Sequence, residues 1–198
     1  MQNENVYVVE DDDCLRNTIN DLLVFAGYKV HTWRDAQSFL AELPHTAPAV
    51  VVTDMRMPGM SGCEMHTELI EQGRSMPVIY ISGESTVHQS VSAMRLGALD
   101  FLVKPFSRED LLKAVAAGIE KDRKQMHRMI EQARIDESLK QLSRREREVM
   151  DLMLKGFNNV EIMDSLHISL PTTKRYKTTL MRKLGVRSLS QLIREMLH

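Results

Sequence analysis

The sequence predicts a doubly wound α/β unit followed by a small all-helical unit, and three observations carry that prediction. Five short β-rich runs recur within the first 105 residues, each separated from the next by a stretch with helical apolar spacing. Beyond residue 107 the strand signal stops and helical periods continue to the end. Charge divides in the same way: residues 1–120 hold 9 Lys+Arg and 17 Asp+Glu, and residues 121–198 hold 17 and 10, so a formal net charge of −1 hides an acidic half and a basic half.

The strands are Val6–Val9, Lys29–Trp33, Ala49–Thr53, Pro77–Ser82 and Phe101–Val103. VYVV, AVVV and PVIYI are almost continuously apolar, as strands of a parallel sheet covered on both faces should be, whereas KVHTW is more polar and suits an edge. Helices fit 13–26, 35–43, 61–72, 85–97 and 107 onward. Gly27 and Gly97 stand where helices would end, and Ser107 with Asp110 after Pro105 reads as a helix start. Such a βα alternation gives a doubly wound parallel sheet with its ligand site at the carboxyl ends of the strands, expected here in the flavodoxin-like order 2-1-3-4-5. From 107 to 140 the pattern is one long charged helix with Leu112, Val115, Ile119, Met126, Ile130 and Leu139 at mixed three- and four-residue steps, interrupted by Gly118. It reads as a last sheet-covering helix that runs on as a linker. A coiled-coil seam is a second reading, weakened by the drifting spacing. The expected boundaries are 1–122 for the α/β domain, 123–140 for the helical linker and 141–198 for a four-helix domain.

Composition excludes other classes. No apolar run approaches the ~18 residues of a membrane span, and MQNEN lacks the features of a secretory signal, so a cytoplasmic protein with no membrane partner is expected. Cys14 and Cys63 have neither the number nor the spacing of a metal site or disulfide framework. The 14 methionines are scattered at apolar positions and read as core filler.

The chemistry gathers where strands end. VYVVEDDD places Glu10, Asp11, Asp12 and Asp13 after the first strand, AVVVTD ends the third in Asp54, and the fifth ends in Lys104-Pro105. Singly, each has an ordinary explanation: strand-end acids and serines cap helices, and lysines lie on surfaces. In the 2-1-3-4-5 order, however, the first, third and fifth strand ends converge on one crevice. Hard carboxylate oxygens with a free face suit Mg²⁺ or Mn²⁺ that shares its shell with a phosphoryl group. Asp54 is then the candidate nucleophile on phosphorus, Lys104 the neutralising cation and Ser82 a hydrogen-bond donor to a phosphoryl oxygen.

EDDD at strand one, TDMRMPGMSG around Asp54, ISGES at strand four and FLVKPF at strand five resemble the receiver domain of two-component response regulators. The resemblance implies that Glu10 and Asp11 form the acid pair for the metal with Asp54, and that the backbone carbonyl of Arg56 completes the shell. It implies that Asp54 accepts a phosphoryl group from a sensor histidine kinase. Ser82 and Phe101 would be coupled switch residues, and the Lys104–Pro105 peptide would be cis. Glu10 stands where Asp is more usual, and Phe101 lacks the hydroxyl of the alternative Tyr.

In the last 58 residues, Leu142 and Ser143 followed by Glu146 read as a capping-box helix start, ended by Gly156. A short helix near 158–166, a turn at His167–Ser169 and a helix from about 170 to 184 follow, with Pro171 in its first turn. Helix, turn, helix is the form that delivers a second helix to the major groove. Between Asp164 and Glu195 lie 30 acid-free residues with seven cations, Lys174, Arg175, Lys177, Arg182, Lys183, Arg187 and Arg194. That is an electrostatic footprint for phosphate backbone. REREV, NNVEI, HIS, TTK and RKLGVRS resemble the LuxR-type helix-turn-helix of response regulators. The resemblance implies that Lys174, Arg175 and Thr178 face bases, while Thr172, Lys177, Arg182 and Lys183 serve phosphates and register.

Together the two resemblances point to a LuxR/FixJ (NarL) response regulator, a transcription factor whose phosphorylation favours a homodimer on double-stranded promoter DNA. Activation through RNA polymerase is the expected output. Two alternatives remain at this point. An aspartyl-phosphate hydrolase or phosphomutase would need a second Asp two residues after Asp54, where Arg56 stands. A phosphorelay output that never touches DNA would leave the basic domain without a role.

Overall fold

The computed structural model describes residues 4–44, 46–83, 91 and 93–196. In chain order the elements are β1 (Asn5–Val9), α1 (Asp13–Phe25), β2 (Lys29–Trp33), α2 (Ala36–Ala41), β3 (Ala49–Asp54), α3 (Gly62–Glu71), β4 (Val78–Ser82), β5 (Asp100–Val103), α4 (Arg108–Lys140), α5 (Arg144–Leu154), α6 (Asn159–Leu166), α7 (Leu170–Leu184) and α8 (Leu189–Met196). The helix expected over 85–97 falls largely outside the described residues. Two compact units, Met1–His127 and Arg128–His198, divide the chain.

In the first unit the five strands are parallel in the order β2-β1-β3-β4-β5. β1, β3 and β4 are buried along their whole length, as their unbroken apolar runs require, and the more polar β2 lies at an edge. Because side chains alternate along a strand, one apolar set covers each face. Val6, Val8, Val50, Val52, Ile79 and Ile81 meet Ile19 and Leu23 of α1 and Leu111, Val115 and Ile119 of α4. Tyr7, Val9, Val51, Val78 and Tyr80 meet Phe39 of α2 and Met65 and Leu69 of α3. Each large apolar side chain so buried contributes roughly 1.5–3 kcal/mol, enough to set the register of the strands.

Gly118, which interrupts the apolar spacing of α4, has a packing reason. A Cβ there would come within 2.5 Å of Val50 Cγ2, so the glycine lets α4 lie close on β3. Further along α4, Asp122 Oδ2 accepts the Ala49 N–H at 2.8 Å, and Arg123 pairs with Glu4. Burial pushes the Asp122 carboxyl above the usual carboxylate range, and the Ala49 N–H offsets this only in part. A carboxyl raised in the folded state favours the protonated form. Its contribution to stability is therefore present below the unfolded value of about 3.9 and is lost as pH rises through the folded value. Asp122→Asn keeps an oxygen for Ala49 and removes the buried charge. It is expected to raise the melting temperature of the first unit at neutral pH and to lose that advantage below pH ~3.9, as thermal melts at the two pH values would show. A lower melting temperature at neutral pH would refute this.

The second unit packs α5, α6, α7 and α8 around Val149, Met153, Ile162, Leu180, Leu184 and Leu192. Its helix ends follow the sequence signals. Ser143 and Glu146 form a capping box on α5, Asn158 and Glu161 another on α6, and Pro171 lies in the first turn of α7. The turn between α6 and α7 is made by His167 at φ 53°, the left-handed region that closes a helix. Leu139, at the end of α4, packs on this core.

Candidate functional site

β1 and β3 run side by side, with Val9 opposite Thr53, so their carboxyl ends bring Glu10 and Asp11 beside Asp54. Ligand oxygens of these three residues lie within 4.8 Å of one another, and this is the only such cluster among the described residues. Glu10 and Asp54 are buried and Asp11 is exposed. β5 ends in Lys104, whose ammonium lies 3.0 Å from Glu10 Oε2 and 2.5 Å from Asp54 Oδ2, with the Lys104–Pro105 peptide cis. The other oxygen of Asp54, Oδ1, accepts the backbone N–H of Arg56 at 2.7 Å.

Burial would lower the ammonium pKa of Lys104, but hydrogen bonds to Asp54 and Glu10 outweigh it and hold the charge above the usual lysine range. Burial also pushes the Glu10 carboxyl up, an effect that Lys104 opposes and Asp54 reinforces. The pocket is therefore an acid cluster held together by one cation. Hard oxygens, two of them on buried carboxylates, suit a divalent ion of the Mg²⁺ or Mn²⁺ kind.

The four acids after β1 do three different things. Glu10 and Asp11 line the pocket, Asp12 caps α1 by accepting the Cys14 and Leu15 N–H groups at 2.8 and 3.0 Å, and Asp13 pairs with Arg16. Arg16 also donates to the backbone oxygen of Glu10 at 2.7 Å, which ties the start of α1 to the end of β1. A run of identical charges gives no clue to this division; the helix start does, because its cap must be the residue before the first turn. On the next strand, Ser82 is buried at the end of β4, and Phe101 of β5 pairs with Tyr80 and packs against the core on the α2 and α3 face. Gly62 opens α3 directly beneath the site. A Cβ there would stand 2.3 Å from the Asp54 carbonyl oxygen, so the loop that presents Asp54 requires glycine at this position.

In the second unit, Lys174, Arg175, Thr178 and Arg182 are exposed on α7 at the three- and four-residue spacing of one helical stripe. The Arg175 guanidinium lies over the Tyr176 ring, 5.6 Å from its centroid. Thr172 and Ser169 share a hydrogen bond at 2.9 Å where the helix begins. Two of the expected phosphate-contacting lysines are engaged within the unit: Lys177 donates to Asn159 Oδ1 at 2.9 Å, and Lys183 donates to Glu146 Oε2 at 2.7 Å and to the Gln141 carbonyl at 3.1 Å. No helix among the described residues is long and apolar enough to cross a membrane.

Comparison with known proteins agrees with both halves. Residues 6–116 match the response regulator receiver domain family, and residues 140–196 match the family described as bacterial regulatory proteins, luxR family. The chain is 33% identical over 193 residues to the response regulator protein TmoT of Ectopseudomonas mendocina, covering 98% of this chain and 88% of that one. It is 36% identical over 198 residues to the transcriptional regulatory protein FixJ of Bradyrhizobium diazoefficiens, covering 96% and 93%. Among solved structures, the response regulator StyR superposes with a TM-score of 0.87 at 33% identity, over 98% of each chain.

Proposed function

The chain belongs to the two-component response regulators that act on transcription through a LuxR-family DNA-binding domain, and from that premise we propose that Asp54 accepts a phosphoryl group from a sensor histidine kinase and thereby controls promoter binding. The observation that carries this reading is the Asp54 carboxylate itself, with Oδ1 oriented by the Arg56 N–H and Oδ2 beside Lys104, next to Glu10 and Asp11. Mg²⁺, when bound, supplies positive charge to the phosphoryl oxygens. Glu10, Asp11, Asp54 and the backbone carbonyl of Arg56 would hold it. An Asp54 oxygen forms the new P–O bond as the P–N bond to the kinase histidine breaks, and the electron pair returns to the imidazole. Lys104 moves from the carboxylate to a phosphoryl oxygen, and the Ser82 hydroxyl donates to another. The inward shift of Ser82 would free space for Phe101, repack the surface around β4 and β5 and favour a homodimer.

In this reading residues 1–122 are the receiver, 123–140 the helical linker and 141–198 the DNA-binding domain, in a cytoplasmic activator that acts through RNA polymerase. Its catalysis is confined to its own phosphorylation and dephosphorylation. Lys174, Arg175 and Thr178 read bases, and Thr172, Lys177, Arg182 and Lys183 set phosphate contacts and register. The test is Lys174→Ala with Arg175→Ala. Each lost base contact is worth about 1–3 kcal/mol, so specific binding in a mobility-shift assay should fall by at least a factor of ~30 in the double variant. Unchanged promoter occupancy and transcription would defeat the DNA-binding assignment.

A further inference from the structure

The end of α4 that lies in the second unit is joined to the carboxyl end of α7. Gly185 closes α7 at φ 70°, where its N–H and that of Val186 return to Arg182 and Met181 carbonyls. On the open side of Gly185 sits the guanidinium of Arg134: a Cβ on residue 185 would come within 3.2 Å of Arg134 Nη1. Glu131, one turn earlier on α4, holds the Nε and Nη2 of that guanidinium at 3.1 and 2.6 Å, which sets its plane. A second tie lies beside it, from Lys183 to the Gln141 carbonyl just past the end of α4. Ile135 is buried and Leu139 packs on the unit's core, so this stretch of α4 is seated there by apolar contact as well. A cation at the carboxyl end of a helix meets the negative end of its dipole, and here the cation comes from outside the helix it serves.

We infer that Arg134 is a positioning residue for DNA reading, one that fixes the carboxyl end of α7 and with it the exposed stripe Lys174, Arg175, Thr178 and Arg182. The inference rests on the reading of α7 as the helix that reads DNA. Gly185 thereby has two functions: it permits the left-handed cap and leaves room for the guanidinium.

The experiment uses the full chain and two probes, a duplex selected in vitro by the wild-type protein from a randomised pool and a scrambled duplex of the same composition. Arg134→Gln is expected to weaken the selected duplex about five-fold, in line with a cation at a helix terminus, while the scrambled duplex changes little. The slope of log affinity against log salt should stay as in wild type, because no phosphate contact is lost. Arg134→Lys should recover most of the loss, and Asp54 phosphorylation should be unaffected by either. Wild-type affinity in Arg134→Gln overturns the inference. So does an equal loss on both duplexes with the slope smaller by about 0.9, which marks Arg134 as a phosphate contact. If Arg134→Gln melts early, the cycle with Gly185→Ala decides: a double variant no worse than the worse single supports the contact, and additive losses overturn it. A wild-type chain that selects no duplex overturns the DNA-binding reading, and this inference with it.

Discussion

Asp54→Asn, incubated with Mg²⁺ and acetyl phosphate, is expected to take up no phosphoryl group, whereas the wild-type chain takes up one that is acid-stable and base-labile. The lability pattern identifies the bond: an acyl phosphate withstands acid and is cleaved by base, and phosphohistidine behaves the opposite way. The specificity for Asp54 follows from geometry. Of the two buried carboxylates, each held by a backbone N–H and by Lys104, Asp54 is held more tightly: 2.7 Å from the Arg56 N–H and 2.5 Å from the ammonium, against 3.3 and 3.0 Å for Glu10. Asp11 is exposed, and Glu10 has its own carboxylate on Lys104 and the Asp12 N–H. Asn keeps the shape of Asp54 while losing the negative oxygen that attacks phosphorus, so the chemical step itself is removed. Mass spectrometry of the intact chain gives the result, and a phosphoryl group that persists in Asp54→Asn would place the acceptor elsewhere.

The second large effect is expected from Lys104→Met. The ammonium compensates two buried carboxylates, and removing one partner of a buried pair costs about 3–5 kcal/mol when the remaining charge is fully enclosed. Here the lysine side chain is 25% exposed, so solvent screens part of that cost and about 1–3 kcal/mol is the appropriate scale. Lys104→Met should therefore melt earlier in the absence of divalent ions. Mg²⁺ should restore more stability to the variant than it adds to wild type, because the added cation takes over the neutralisation. Lowering the pH should restore stability as well. The Glu10 carboxyl is already held above its ordinary range, and without Lys104 it rises further, so acid removes one of the opposed charges. Phosphoryl uptake should nonetheless fall by roughly 10²–10³-fold even with Mg²⁺ present, the usual result of deleting one group that stabilises transition-state charge. A melting temperature independent of both the substitution and the metal would show that Lys104 does not neutralise the pocket.

The strands, the doubly wound class and, with the order 2-1-3-4-5, the convergence of Glu10, Asp11, Asp54 and Lys104 were legible in the sequence, because strands and their ends follow from local pattern. Continuous apolar runs mark buried parallel strands, and in a doubly wound sheet the ends of such strands fall at one crevice. Helix starts were legible for the same reason, since Ser143 with Glu146 and Pro171 act within a single turn. What stayed hidden depends on partners far along the chain. Lys183 reads as one more cation in a basic window, yet its ammonium meets Glu146, 37 residues away. Gly118 reads as a flaw in a heptad, yet its reason is Val50 on β3. Asp12 and Asp13 share the chemistry of Asp11 and differ from it only in where the helix begins.

The long helix α4 belongs to both compact units, and this bears on how such a chain can be recombined. Gly118, Asp122 and Arg123 are spoken for by the first unit, and Arg134, Ile135 and Leu139 by the second. Between them, residues 127–133 are exposed to solvent on every side of the helix. A crossover with a related gene at residues 127–130 leaves each half with the contacts described above, the Glu131–Arg134 pair included. One placed at residue 141, where the family resemblance begins to look like a domain edge, would separate the α7 cap from the arginine that serves it. The window that carries the least structure is thus where the two halves of the chain can be exchanged with the least loss.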